Sequence, residues 1–393
     1  MMNNTIYFDN SATTAPYPSV IETMTKTLSE AWGNPSSVHS VGIRARSVLE
    51  ESRRSVARAL GVRREEEGRV IFTSSGTEAD QLAIMGSVYA KRRPEKNGSR
   101  GKILTTDSEH PAVEECMKRL EADGFTVCRV PTRGGTLDMN FVRENADGAI
   151  LASFMLVNNE SGALYDVKTA FATVRALSPD CVTHTDAVQA FGKIRFTPAM
   201  LGADMVTVSA HKIGGPKGIG ALFVAAPIFK ARRLIAMTPG GGQEGGFRCG
   251  TENMPGIAGF GEACRLAAEN LCENADAVKA VRQAILDGLA PYGDKVRVNQ
   301  PERGIDHVIS LTIPGIRSEP LLIFFSERGI CISAGSACSA RSRNIRSAMP
   351  SFGLTDNEAD ATVRVSLSPR NTVEEAKIFT DAMADALQLQ HFS

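Results

Sequence analysis

The sequence has no excess of either charge, because its 393 residues carry 44 Lys plus Arg and 44 Asp plus Glu. A balanced chain does not attract nucleic acid or an anionic membrane through its net charge, so neither is predicted as a partner. No run approaches the roughly 18 consecutive apolar residues that a membrane-spanning helix needs. The first residues have neither a basic nor an apolar stretch, so no secretion signal is expected.

The eight cysteines never form a Cys-x-x-Cys pair, so the sequence indicates neither a zinc site nor a disulfide framework. Free thiols fit a reducing compartment, and we expect a cytoplasmic protein without a resident metal. Most of these cysteines have the apolar surroundings of a buried structural thiol. Cys338 is different, because it lies in the small, polar segment Gly-Ser-Ala-Cys-Ser, where a thiol can be an accessible nucleophile.

Predicted helices alternate with short apolar strands from about residue 40 to 225. Buried strands joined by crossover helices predict an α/β fold with a mostly parallel, doubly wound sheet. The later sequence instead has a long helix, then strands and helices typical of a compact α+β lobe. We therefore predict a large α/β domain over residues 16–258 and a smaller α+β domain formed by residues 1–15 and 259–393.

Three segments at predicted strand ends carry side chains that suit one cofactor. Gly76 and Thr77 follow a strand and open a helix, where backbone N–H groups can bind an anion. Asp186 ends an apolar strand and could hold a protonated ring nitrogen, and Lys212 follows another strand. Each segment alone also fits a helix cap or a surface charge. Together they match the phosphate, ring nitrogen and aldehyde of pyridoxal 5′-phosphate.

His110 follows a further predicted strand, in Asp-Ser-Glu-His-Pro. An imidazole at this edge of the sheet could stack on a flat ring or move a proton. A histidine at the start of a surface helix is the commoner situation for a single His, so both interpretations stay open on the sequence alone.

Taken together, these segments resemble the cysteine desulfurases, which are fold-type-I, class-V pyridoxal-phosphate enzymes. The shared motifs are FDNSATT (residues 8–14), GNPSS (33–37), VNNESG (157–162), DAVQ (186–189), SAHK (209–212), GGGQE (240–244), RCGTEN (248–253) and GSAC (335–338). Any one motif is weak, whereas the ordered set over nearly the whole chain is specific. The resemblance implies a fold-type-I transferase that removes sulfur from L-cysteine and leaves L-alanine.

The resemblance also implies a role for each site residue. Catalysis would use Lys212, which bonds the cofactor's aldehyde, together with Cys338 and His110. The phosphate would be bound by Gly76, Thr77, Ser209, His211 and, in a homodimer, Thr251 from the other subunit. The ring would be held by Asp186 at its nitrogen, Gln189 at its hydroxyl and His110 on its face. The substrate carboxylate would be bound by Asn159 and Arg364.

In the family that this sequence resembles, the sulfur passes through a persulfide, which here would form on Cys338. A sulfur-acceptor protein or an iron–sulfur scaffold would then receive it, and Cys338 could be a transient iron–sulfur ligand. The following segment departs from the family, because it is basic where relatives usually have a Leu-Glu-Pro type sequence. Arg341 and Arg343 could favour the Cys338 thiolate, or could form a solvated basic loop.

Other activities remain open from the sequence. One is a selenocysteine lyase or another class-V pyridoxal-phosphate enzyme, such as a transaminase or a kynureninase-like enzyme. Another is a catalytically degenerate scaffold for cluster assembly. Cys338 in its polar segment favours the desulfurase, and the presence of Lys212, Asp186 and His110 argues against the scaffold.

Overall fold

The computed structural model describes residues 5–64, 67–91, 100–334 and 347–388. The strands are β1 (Ile6–Tyr7), β2 (Gly68–Thr73), β3 (Lys102–Thr106), β4 (Thr126–Val130), β5 (Ala149–Ser153), β6 (Val182–Asp186), β7 (Met205–Ser209), β8 (Gly220–Ala225), β9 (Arg297–Val298), β10 (Val308–Thr312), β11 (Ile330–Cys331), β12 (Ser333–Ala334) and β13 (Thr362–Ser366). The α-helices are α1 (Pro18–Glu30), α2 (Ser40–Ala59), α3 (Gly76–Ala90), α4 (Pro111–Ala122), α5 (Met139–Asn145), α6 (Val167–Leu177), α7 (Pro198–Leu201), α8 (Ala226–Lys230), α9 (Met254–Glu269), α10 (Leu271–Leu289), α11 (Ser318–Glu327), α12 (Met349–Phe352), α13 (Asp356–Asp360) and α14 (Val373–Gln388). Within these ranges, no helix combines the length and apolar character needed to cross a bilayer.

The largest sheet has seven strands in the order β2-β8-β7-β6-β5-β3-β4. Strands β4, β3, β5, β6 and β7 are parallel to one another, while β8 is antiparallel to both of its neighbours, β7 and β2. Every residue of β5, β6 and β7 is buried, as expected for a sheet that is covered on both faces. The predicted mostly parallel α/β fold is confirmed.

Helices cover this sheet on both sides because the strand residues alternate between two apolar cores. On β7, Val206 and Val208 belong to the core that includes α2, α6 and α9. Met205 belongs to the opposite core, with α3 and α4. The helices take up the two faces of the sheet, which leaves the carboxyl ends of its strands as the place where a ligand can approach.

A second lobe has its own core and a four-stranded antiparallel sheet in the order β12-β13-β10-β9. The amino-terminal segment belongs to this core: β1 pairs with β11, and the Phe8 ring packs edge-on against Phe379 with 5.8 Å between centroids. Helix α9 packs in the core of the large lobe instead, where Phe260 and Cys264 are fully buried. We keep the two-domain division as a proposal and place its junction after α9 rather than at residue 258.

Candidate active site

A cavity of about 350 Å³ lies where the carboxyl ends of β6 and β7 meet the second lobe. Ligands in open α/β sheets bind at this edge. Its walls contain ten of the predicted site residues: Gly76, Thr77, His110, Asn159, Asp186, Gln189, Ser209, His211, Lys212 and Arg364. The structure therefore brings together residues as far apart in the sequence as Gly76 and Arg364.

The structure does not show the other two predicted residues in these walls. Thr251 lines a separate cleft of about 210 Å³, next to Ser74 and Arg248. Cys338 lies outside the described residues, as do Arg341 and Arg343. A contribution of Thr251 to another subunit's site and the role of Cys338 stay predictions.

The start of α3 forms one end of the cavity. The Ser75 side chain caps this helix by accepting a hydrogen bond from the Glu78 N–H at 3.1 Å. Glycine at position 220 lets β8 approach closely, because an added Cβ there would lie 2.6 Å from the carbonyl carbon of Ser75. The helix start is thus held against the sheet, next to the Thr77 and Ser209 side chains, in a position suited to an anion.

Lys212 ends a short turn that follows β7. Its Nζ donates hydrogen bonds to the carbonyl oxygens of Ser11 at 2.6 Å and Ala12 at 2.8 Å. The neighbouring Asn10 is fixed to the second lobe through a 3.0 Å bond from its Nδ2 to the Ser366 carbonyl. The amino-terminal segment therefore positions the amine in the cavity wall.

His211 lies beside this amine, with Nδ1 3.2 Å from the Thr13 Oγ1. Burial, and then the nearby positive charge of Lys212, lower the pKa of His211 to about 4. The ring is therefore neutral near pH 7 and can donate or accept a hydrogen bond without adding charge.

Four carboxyl groups line the cavity: Asp80, Glu109, Glu160 and Asp186. Asp186, at the end of β6, accepts the Val188 N–H at 2.8 Å, and burial raises its pKa. Asp80 of α3 is buried beside it, and burial followed by the Asp186 charge raises the pKa of Asp80. Burial also raises the pKa of Glu109 to about 8, although its Oε1 accepts the Met155 N–H at 2.9 Å.

Asp80 and Glu109 were not predicted from the sequence. The available signal was an acid within an otherwise apolar helical segment (Asp80) and one directly before the predicted His110 (Glu109). Asp80 Oδ1 and Glu109 Oε2 are buried and have no hydrogen-bond partner among the described residues. Asp186 is close enough to the Lys212 amine for its charge to act on the carboxyl group, and a buried carboxylate at this place could hold the nitrogen of a cationic ring.

Arg364 of β13 enters the cavity from the second lobe and is 2% exposed. Its Nη1 donates to the Asn159 carbonyl and its Nη2 to Asp9 Oδ1, each at 2.9 Å. Its Nε is buried and has no partner among the described residues. Asp9, which orients this guanidinium, was predicted only as part of a motif. The arrangement offers a buried cation to a substrate carboxylate.

His110 caps α4, where its Nδ1 accepts the Ala112 N–H at 3.1 Å. Burial, and then the Lys212 charge, lower the pKa of His110 to about 4. The position of His110 therefore agrees with both interpretations, because its neutral imidazole starts the helix and also lines the cavity.

Gln189 is held at both ends of its amide. Its Nε2 donates to the Ser11 carbonyl at 3.0 Å, and its Oε1 accepts from the Lys193 Nζ at 2.9 Å. Lys193 is buried, and burial followed by the charges of Lys212 and Arg364 lowers its pKa to about 7. Sequence reasoning missed Lys193, although its position four residues after Gln189 was a signal.

The donor set fits pyridoxal phosphate. One end offers backbone N–H groups and hydroxyls for a phosphate, the middle offers Asp186 for a ring nitrogen, and Lys212 offers an amine for an aldehyde. The Arg364 Nε, which has no partner in the part of the chain that the structure describes, is available to a carboxylate.

Comparison with known proteins gives a consistent result. The aminotransferase class-V family matches residues 6–379. The cysteine desulfurase IscS of Clostridium botulinum (strain Hall) is 35% identical over 95% of this chain and 92% of its own length. A solved NifS-like protein superimposes with a TM-score of 0.88 and 32% identity, covering 98% of this chain and 99% of that chain. The structure of SspA in complex with cysteine gives a TM-score of 0.78 and 30% identity, with 93% and 99% coverage.

Proposed function

This chain belongs to the class-V aminotransferase family, and we propose from that premise that it is a pyridoxal-phosphate-dependent cysteine desulfurase. It converts L-cysteine to L-alanine and retains the sulfur for transfer. The observation that carries this proposal is the single cavity that contains Lys212, Asp186, Arg364 and the start of α3. Each of them would provide a charge or a hydrogen-bond donor for one part of the cofactor or substrate.

The phosphate would be bound by Gly76 and Thr77 at the start of α3, with Ser209 and His211 beside them. Asp186 would pair with the ring nitrogen, His110 would lie on the ring, and Lys212 would bond the aldehyde. When bound, the cofactor withdraws electrons from the substrate and makes its Cα–H acidic.

The residues of this chain would then position the substrate and move its proton. Arg364 and Asn159 would bind the cysteine carboxylate, and this would orient the substrate in the cavity that Lys212 also lines. Lys212 would take that proton and carry it within the cavity. Because His110 and His211 are neutral near pH 7, they add no competing charge beside the amine.

Sulfur would leave through Cys338. Its thiolate would attack the substrate sulfur, so that an S–S bond forms while the substrate C–S bond breaks. The released carbon would take up a proton and leave as alanine. No outside oxidant or reductant is required, because the carbon is reduced as the two sulfur atoms are oxidised.

We further propose a homodimer in which Thr251 of one subunit completes the phosphate site of the other. The position of Thr251 in a cleft outside its own chain's cavity supports this arrangement. A cytoplasmic sulfur-acceptor or iron–sulfur scaffold protein would receive the persulfide sulfur.

The test is turnover of L-cysteine, with alanine and sulfide measured together. The wild-type protein should form both, Lys212→Ala should form neither, and Cys338→Ala should keep its bound cofactor but release no sulfur. A wild-type protein that carries the cofactor yet forms no alanine from L-cysteine would contradict the proposed activity.

A further inference from the structure

Lys193 is a buried amine that the proposed chemistry does not use. It is 9% exposed and lies four residues after Gln189, to whose Oε1 its Nζ donates at 2.9 Å. Burying an amine is unfavourable unless the amine is paired. Among the described residues, Lys193 makes no ion pair with a carboxylate, so a salt bridge does not account for its burial.

The two hydrogen bonds of Gln189 determine which way its amide points. The Ser11 carbonyl can only accept, so it requires the Nε2 end of the amide at 3.0 Å. The Lys193 amine can donate to the Oε1 end in both of its protonation states, because even a neutral amine keeps two N–H groups. The reversed amide would place Oε1 against the Ser11 carbonyl, where two acceptors repel.

Gln189 lines the cavity, and the fixed orientation leaves its Nε2 with a further N–H donor. Nε2 carries two N–H groups, and the Ser11 carbonyl takes one of them. The same carbonyl accepts the Lys212 Nζ at 2.6 Å, so the Gln189 amide and the Lys212 amine meet at one point of the wall. A ring oxygen next to the carbon that Lys212 bonds would lie within reach of this donor.

We propose that Lys193 is a positioning residue that holds the Gln189 amide with its N–H₂ end toward the cavity, where it donates to the ring oxygen of the cofactor. The inference rests on the proposed function, since it takes pyridoxal phosphate as the ligand. Gln189 makes the contact, and Lys193 acts with the Ser11 carbonyl to keep the amide in the orientation in which Nε2 is the donor.

A double-mutant cycle tests the proposal on the full-length protein. Lys193→Met removes the amine but keeps an unbranched side chain of similar length, and Gln189→Met removes the amide. We expect Lys193→Met to raise the Kd for pyridoxal phosphate about tenfold and to shift the visible absorption band, as loss of one hydrogen bond to a charged oxygen would. In the Gln189→Met background, Lys193→Met should change neither quantity further.

Additive effects of the two substitutions would overturn the proposal, because they would show that Lys193 acts independently of the Gln189 amide. Gln189→Glu supplies a second test that leaves Lys193 paired. It places a carboxylate oxygen where the N–H₂ group was, so the donor to the cofactor is lost and cofactor binding should weaken. Unchanged cofactor affinity in Gln189→Glu would also overturn the proposal.

Failure of the proposed function would give different results from failure of the proposal for Lys193. If the wild-type protein takes up no pyridoxal phosphate, the proposed function itself is wrong. If the wild-type protein binds the cofactor and converts L-cysteine to alanine while Lys193→Met binds the cofactor equally well, only the role of Lys193 is wrong. Lys193→Arg, which keeps a donor at this position, should retain most of the wild-type affinity.

Discussion

At the residue scale, the cavity is defined by buried groups whose surroundings set their protonation. Glu109 has its pKa raised to about 8, and the pKa values of His110 and His211 are lowered to about 4. Each shift favours the neutral form near pH 7. Burial is the main cause in every case, so the cavity has few charges besides those at Lys212, Asp186 and Arg364.

The raised pKa of Glu109 predicts a pH-dependent stability. Between about pH 4.5 and 8 the folded protein holds a proton on Glu109 that the unfolded chain does not, so this group's contribution to stability is lost as pH rises. As the pH rises from 5.5 to 7.5, the free energy of unfolding of the cofactor-free wild type should therefore fall by roughly 2 kcal/mol more than that of cofactor-free Glu109→Gln. Denaturant unfolding at both pH values measures this. Glu115→Gln, at an exposed position of α4, is the control, and equal pH dependence in Glu109→Gln and wild type would refute the prediction.

Arg364 predicts a substrate-binding defect. Arg364→Lys should raise the KM for L-cysteine about tenfold or more, because one ammonium cannot bond the Asn159 carbonyl, Asp9 and a carboxylate in the geometry of a guanidinium. Steady-state kinetics measure the KM, and the visible absorbance reports that the cofactor is still bound. Arg265→Lys, on an exposed face of α9, should leave the KM unchanged. A wild-type KM in Arg364→Lys would exclude Arg364 as the carboxylate site.

Much of the site was predictable because charged or small residues directly follow buried strands. Asp186 and Lys212 were identified in this way, and both line the cavity. Asp80 was missed because its position in a helix does not show which neighbour its side chain faces. Asp9 was missed as an individual residue because its partner, Arg364, is 355 positions away and only folding brings the two together.

At the element scale, the site depends on how closely β8 approaches the start of α3. The strand passes so near that position 220 has no room for a side chain. The same contact orients the N–H groups of the first turn of α3. Geometry of this kind depends on sheet order, and the local sequence of β8 does not reveal it.

Gly220→Ala should therefore weaken cofactor binding by about tenfold or more. Its Cβ would lie 2.6 Å from the Ser75 carbonyl carbon and 2.8 Å from the Gly76 nitrogen, so the helix start has to shift. Titration of the cofactor-free protein with pyridoxal phosphate measures the change. Gly241→Ala is a matched control, because its nearest neighbour is the flexible Gln243 side chain. Cofactor binding as tight as wild type in Gly220→Ala would show that the contact does not position the helix.

At the scale of the whole molecule, the cavity joins two lobes. Lys212 and Asp186 come from the large lobe, and Arg364 comes from the second. Glu160 links them as well, because its Oε2 accepts the Ala348 N–H at 3.1 Å. The α/β fold was predictable from alternating strands and helices, whereas the packing of α9 was not. That helix is apolar on the face it buries, and its sequence does not say which core will cover it.

The proposed homodimer predicts complementation between defective subunits. Lys212→Ala and Thr251→Val should each have little activity alone. In a mixed dimer, the Thr251→Val subunit keeps its own Lys212 and receives Thr251 from the other subunit, so one complete site forms. Coexpression should restore measurable alanine formation from L-cysteine. A mixture as inactive as the separate variants, in a sample verified to contain mixed dimers, would contradict the shared site.

The central claim is that the Lys212 amine bonds the aldehyde of pyridoxal phosphate in this cavity. Borohydride converts such a bond to a stable secondary amine, and mass spectrometry of the digested protein then locates the modified residue. The account predicts that the cofactor remains on the peptide that contains Lys212. A protein with no modified lysine, or with the modification on a different lysine, would contradict it.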